Sequence, residues 1–379
     1  MKKMKKYRLG VVGLGHRGRD MFKLASLFEC VDPVAACDMF EYNWLETKFG
    51  QDKPMCEQFP QTRFYTDFQK MLDEAALDIL LVETGADVHA AFCAEGLKRN
   101  IHVMSDIPVV ATVEEADMLW AVHKKSKGMF MTGANPNEAR YTVVLRDLYE
   151  RGFLGEPYYM EAEYIHWSMP GSVTSKALTE NGNWRRLLCP IRYCTHSLGP
   201  LLTILKEDLR YVSCFGTGAH GPDEDYVIKK DDMSCAQFRT ESGVVVRLLR
   251  NGRCRAKIGA HSYRVFCTEG YFERIDGKGS VPATIRYNST RYCPADALVE
   301  QPGPVMPFEY AGDPQALKGG HGGMDYALFD HFFKALEKGL PSPISLKEGL
   351  RMTLPGIYAE MSSKRDGEVI RIRYPWDND

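Results

Sequence analysis

Short apolar runs alternate with amphipathic stretches through the first part of the chain. Residues 8–12, 33–37, 78–82, 101–104 and 129–132 are such runs, with the length and composition of strands buried on both faces. Between them, residues 19–27, 68–76, 88–99 and 114–127 place apolar side chains at helical spacing. Strands separated by helices of this length imply right-handed parallel crossovers. The pattern therefore predicts a doubly wound α/β domain over residues 1–150.

Beyond Gly152 and Gly155 the pattern changes. Strand-like runs at 158–165, 209–217, 234–240, 243–250, 260–267 and 270–275 follow one another with little helix between them, which predicts a large open, mostly antiparallel sheet. Helices are expected at 193–205, 325–338 and 346–363, and a short strand at 369–373. This second, α+β domain spans 151–379, with its last helix and strand able to pack back at the domain junction. Residues 288–323, rich in Pro and Gly, read as a long loop across that junction, and long loops in compact domains are often functional.

The first chemical signal follows the first strand. Gly13, Gly15 and Gly18 stand in the G-x-G-x-x-G spacing: one glycine for the tight turn, one for close approach of a pyrophosphate, one for helix–strand packing. The helix that follows presents its free N–H groups and positive dipole end to the phosphates. The second apolar run ends in Asp38, twenty positions after Gly18, where an acidic side chain accepts hydrogen bonds from the adenosine ribose. Aspartate also ends strands and caps helices for purely structural reasons. Together these features predict a bound dinucleotide. Asp38 would repel a 2'-phosphate, and no arginine follows it at 39–41, so the cofactor expected is NAD.

Composition narrows the rest. Lys plus Arg number 48 against 50 Asp plus Glu, so bulk charge gives no case for nucleic acid. No stretch approaches a membrane span, and the basic first residues run straight into the first strand, so a cytoplasmic protein is expected. Eleven cysteines without a C-x-x-C pair read as reduced thiols. Ten histidines without ligand spacing predict no metal.

The glycine turn, Asp38, the segment from Thr84 and Gly85 to His89, and residues 101–111 resemble the glucose-fructose oxidoreductase and inositol dehydrogenase superfamily over nearly the whole chain. The resemblance implies an N-terminal Rossmann domain and a C-terminal open-sheet domain, with substrate between them against the nicotinamide. It places Gly13, Gly15, His16, Arg17, Gly18, Asp38, Thr84, His89, Asp106 and Pro108 at the cofactor. For His89 helix capping is an equal possibility, and Arg17 either braces the pyrophosphate or faces solvent. Two positions depart from the usual dehydrogenase. Asp106-Ile107-Pro108 has isoleucine where that pattern carries a lysine, and Arg192 stands where it carries an aspartate.

What stands there instead resembles the NAD-dependent glycoside hydrolases typified by α-N-acetylgalactosaminidases. The resemblance rests on Tyr193, Thr195, His196, Leu198, Gly199 and Pro200, on Tyr164 and His166, on Trp184 and Arg185, and on residues 319–325 around His321. It implies that Tyr164, Tyr193, His196 and His321 line a sugar site, with Tyr193, His196 and His321 catalytic. His166, Trp184, Arg185 and Arg192 are further candidate sugar contacts, although packing and ion pairing are the ordinary roles of such residues. Spacing alone puts Tyr193 and His196 on one helical face. The chemistry implied is oxidation at C3, loss of the C2 proton, elimination of the C1 substituent and addition of water, with NAD recycled. The alternatives are a net sugar or cyclitol dehydrogenase and a non-catalytic NAD- and sugar-binding protein. The open sheet face suggests a homodimer or homotetramer.

Overall fold

The computed structural model describes residues 6–47, 52–168, 184, 188–226, 228–256, 260–277, 282–293, 297–303 and 308–378. The chain divides into two compact units, one formed by residues 1–133 and 312–349 and the other by 134–311 and 350–379.

The first unit holds strands β1 (Tyr7–Val12), β2 (Val31–Cys37), β3 (Arg63–Tyr65), β4 (Ile79–Val82), β5 (His102–Ser105) and β6 (Phe130–Thr132). They form one sheet in the order β3-β2-β1-β4-β5-β6 with every pair parallel. This is the doubly wound Rossmann order, in which the direction of winding reverses between β1 and β4. Both strands are apolar because both faces are covered: Val11, Ile79, Leu80, Leu81 and Val82 are all fully buried. The β3 edge was not anticipated, since three residues are too few to show a period.

Helix Met324–Lys338 belongs to this unit and buries Leu328, Phe329, Phe332 and Phe333. Phe28 stacks on Tyr326 at 4.8 Å and meets Phe333 edge-on at 5.0 Å. Glycines in the left-handed region, Gly323 and Gly339, bracket the helix, and Gly339 ends it because a residue with no Cβ enters that region without steric cost.

The second unit holds β7 (Pro157–Ile165), β8 (Tyr211–Gly216), β9 (Met233–Arg239), β10 (Val245–Asn251), β11 (His261–Cys267), β12 (Gly270–Ile275), β13 (Thr284–Ser289), β14 (Val299–Pro302) and β15 (Ile370–Arg371). The sheet runs β14-β13-β12-β11-β7-β10-β9-β8-β15. Among the described residues β10 pairs with β7 in parallel, and the other neighbours pair antiparallel. β13 and β14 occupy part of the stretch read from sequence as loop.

The two faces of this sheet follow from alternation along the strands. On one face Met160, Ala162 and Tyr164 of β7 lie in register with Val246, Leu248 and Arg250 of β10 and with Val265, Tyr263 and His261 of β11. The opposite face carries a register row of alternating charge: Arg247, Glu161, Arg264, Glu273, Arg286 and Glu300. Adjacent members pair at 2.5–3.6 Å. Burial would raise Glu161, but hydrogen bonds from Arg247, Tyr159 and Arg264 outweigh it and hold its carboxyl down at about 2. Among the described residues, no helix is long and apolar enough to cross a membrane.

Candidate functional site

At the end of β1 the chain turns sharply. Gly13 has φ 91°, and a Cβ there would lie 2.7 Å from the Glu83 carbonyl; a Cβ on Gly18 would lie 1.9 Å from the Gly13 oxygen. Any larger residue at 18 would push helix His16–Ala25 off the strand. A Cβ on Gly15 would meet nothing within 4 Å, so the turn is open at the helix N-terminus, the side from which a pyrophosphate would come. Asp38 accepts from Leu14 N at 2.7 Å and Phe40 N at 2.9 Å, one bond to each oxygen. Each oxygen keeps a second lone pair for a ribose hydroxyl. These residues fit NAD.

The other expected cofactor residues divide. His16 is exposed, with Nε2 at 3.6 Å from Asp20. The Thr84 hydroxyl donates to the Gly85 carbonyl at 3.4 Å. His89 is fully buried at the start of helix His89–Lys98. Its Nδ1 lies 2.9 Å from the Pro108 oxygen and its Nε2 2.9 Å from the Thr84 oxygen. The ring therefore ties together the loops that leave β4 and β5, and in doing so positions the loop carrying Asp106 and Pro108.

Arg17 is turned toward protein. Its guanidinium meets Asp325 in a bidentate pair at 2.6 and 2.8 Å and lies 4.0 Å from Asp106. Asp325 in turn sits 2.9 Å from His321 Nδ1. Burial would raise the Asp325 carboxyl, but the charges and hydrogen bonds of Arg17 and His321 outweigh it and hold it far below the usual carboxylate range. Glu83, 6% exposed at the end of β4, moves the other way: burial and the neighbouring Asp106 push it well above its ordinary value. Its Oε2 has no hydrogen-bond partner among the described residues. A proton on Glu83 leaves Arg17 to balance Asp106 and Asp325, which is the state such burial favours.

In the second unit, Tyr193, His196 and Tyr164 come together. Tyr193 Oη lies 3.3 Å from His196 Nε2, and the Tyr164 ring centroid lies 5.8 Å from that of His196 and 6.2 Å from that of Tyr193. The helical reading of the pair needs one correction. The helix runs Thr195–Leu202, so Tyr193 sits in the turn between it and the preceding 3-10 turn Pro190–Arg192. His166 lies 5.3 Å from Tyr164 and Trp184 6.3 Å from Tyr193. Arg192 is paired with Glu360 at 3.4 Å. Arg185 lies outside the described residues.

Three residues that sequence reasoning missed complete this cluster. His261 stacks on Tyr164 at 4.2 Å and 17° and lies 5.7 Å from the His196 ring. The Arg250 guanidinium lies 4.1 Å from the Tyr164 ring centre, a cation–π contact within a buried site. The Tyr263 hydroxyl donates to the His196 carbonyl at 2.7 Å. The signal available in sequence was the i, i+2 alternation of His261 and Tyr263, which places both on one sheet face but does not name the strand they meet.

A family model described as the oxidoreductase family, NAD-binding Rossmann fold, matches residues 7–134. A protein of Akkermansia muciniphila named glycosyl hydrolase family 109 protein 1 is 23% identical over 381 residues, covering 92% of this chain and 77% of its own. An α-N-acetylgalactosaminidase of Shewanella oneidensis is 22% identical over 389 residues, covering 95% of this chain and 83% of its own. Among solved structures, a levoglucosan dehydrogenase in complex with NADH and levoglucosan shares the fold with a TM-score of 0.77 at 14% identity, over 97% of this chain and 100% of that one. The family likeness thus covers residues 7–134, the NAD-binding Rossmann part, which the chain continues into an open-sheet second unit.

Proposed function

We propose that the protein is an NAD-dependent glycoside hydrolase, or a lyase using the same steps, that eliminates the C1 substituent of a sugar transiently oxidised at C3. The observation that carries this reading is the Tyr193–His196 contact, set among Tyr164, His166 and His261. The names of the full-length relatives support it. Gly13, Gly15, Gly18 and Asp38 hold the cofactor, which when bound supplies the acceptor and later the donor of the sugar hydride. A C3 ketone acidifies the C2 proton, and Tyr193 with His196 removes it. The C2 electron pair then forms the C1–C2 double bond as the C1–O bond breaks, and His321 protonates the departing oxygen. Water adds back at C1 in the hydrolase and not in the lyase. Aromatic rings around Tyr164 offer faces to the sugar.

The test is a panel of aryl glycosides in deuterium oxide, following aglycone release, C2 deuterium uptake and free NADH. Release with C2 exchange and no accumulating NADH is the expected result. NADH formed in proportion to product would establish the second reading, a sugar dehydrogenase, which the fold shared with levoglucosan dehydrogenase favours. Binding of cofactor and sugar with neither product nor exchange would establish a non-catalytic binding protein.

The charged row on the open face of the sheet favours a homodimer. A two-fold axis can set the Arg and Glu of one copy against their opposites on the other. Light scattering should give twice the chain mass, and Arg264→Glu should return it to the chain mass. The free cysteines fit a reducing compartment and so a cytoplasmic protein, which cell fractionation would test.

A further inference from the structure

We infer that Asp325 is a positioning residue: clamped by Arg17, it fixes the orientation and the tautomer of His321. This rests on the reading of His321 as a proton-handling residue. Three observations within the first unit carry it. Asp325 is 1% exposed, and its carboxylate meets two Arg17 nitrogens and His321 Nδ1. Arg17 stands in the first turn of helix His16–Ala25, directly after the glycine turn, so a single guanidinium links that helix start to the start of helix Met324–Lys338. The third observation is backbone strain: His321, Gly322 and Gly323 have φ of 56°, 62° and 90°, three consecutive left-handed residues, and the first of them has a side chain.

Local preference does not put a non-glycine residue there. A helix start needs only Gly323 as its N-cap and an acid in the first turn. What the strained turn adds is the contact between His321 Nδ1 and Asp325. An ionised carboxylate at that distance accepts the Nδ1 proton, which leaves Nε2 as the working nitrogen on a ring whose side chain is 51% exposed. A buried aspartate does the same for an imidazole in other proton-transfer sites.

Asparagine at 325 would invert this arrangement. Its one acceptor oxygen would be claimed by the Arg17 donors, its NH2 would face Nδ1, and the ring would have to carry its proton on Nε2. The experiment uses the full-length protein with NAD bound and histidine labelled with nitrogen-15. The His321 resonances are assigned by their loss in His321→Gln. The wild type should show a proton on Nδ1, and Asp325→Asn should show it on Nε2, with kcat on aryl glycosides lowered about 10²- to 10⁴-fold and KM for glycoside and NAD changed less than about twofold. Asp325→Glu should restore the wild-type tautomer.

If Asp325→Asn does not fold, the wild-type spectrum alone decides: a proton on Nε2, or rapid exchange between tautomers, overturns the inference. Wild-type kcat in a folded Asp325→Asn also overturns it. A wild-type tautomer locked as described in a protein that releases no aglycone would sink the glycosidase reading and leave the positioning role standing.

Discussion

Tyr164 and His261 face each other in register across β7 and β11, with their rings stacked at 4.2 Å. Arg250 closes the row from β10, its guanidinium 4.1 Å from the Tyr164 ring centre. One tyrosine is thereby held by an imidazole on one neighbouring strand and a cation on the other. Cross-strand neighbours on one face are close enough to fix each other's rotamers. Tyr164 is therefore held in one conformation.

His261→Phe would keep the stacked ring and remove its two nitrogens. If those nitrogens bind sugar, KM should rise about threefold to tenfold, the value of one ordinary hydrogen bond, with little change in melting temperature. Steady-state kinetics with calorimetry would check this. An unchanged KM would show that His261 serves only to hold Tyr164.

For the proposed proton relay, Tyr193→Phe and His196→Ala should each lower turnover about 10²- to 10⁴-fold. The two losses should not add, since groups acting as a unit cannot be removed twice. NAD affinity should be unaltered in both. Equal losses of activity and thermal stability would show instead that the pair only supports the fold.

Position 107 offers a contrast. Ile107 is 1% exposed and apolar, so Ile107→Ala should destabilise by about 2–5 kcal/mol through the cavity it leaves. Turnover of the folded fraction should fall only modestly. A loss of several orders of magnitude in a folded variant would restore a catalytic role to this position.

The strands that carry the site were legible because burial on two faces or one leaves a run or an alternation in the sequence. The glycine turn was legible because steric demands at Gly13 and Gly18 admit no other residue. His261 was not, because its importance lies in its register with Tyr164, a pairing between strands far apart in the chain. The Tyr193–His196 pair was singled out by the family resemblance together with helical spacing, although Tyr193 lies before the helix; a turn leading into a helix keeps positions three apart nearly as close. Arg17 and His321 were each singled out without their connection. Asp325, which joins them, reads in sequence as an ordinary acid in the first turn of a helix. Nothing in local pattern shows which sheet that helix packs upon.

Glu83 gives a prediction whose sign is unusual for a carboxylate. Its folded pKa is raised, first by burial and then by Asp106, whereas the unfolded chain ionises near 4.3. Below that value both states hold the proton and the site costs nothing. As pH rises above it, the unfolded chain gains an ionised carboxylate that the folded state resists, so the site lowers stability by up to about 1.4 kcal/mol per pH unit until the folded pKa is reached. Asp325 behaves oppositely: its folded pKa is depressed, so its contribution is fully present above the ordinary carboxylate range and is lost only as pH falls below it. Glu83→Gln removes the first effect and leaves the second. The variant's melting temperature relative to wild type should therefore rise between pH 4.5 and pH 8, while both proteins lose stability together in strong acid. A difference that stays constant over that interval would mean that Glu83 is ionised in the folded protein. Arg17 would then have to balance three carboxylates, not two.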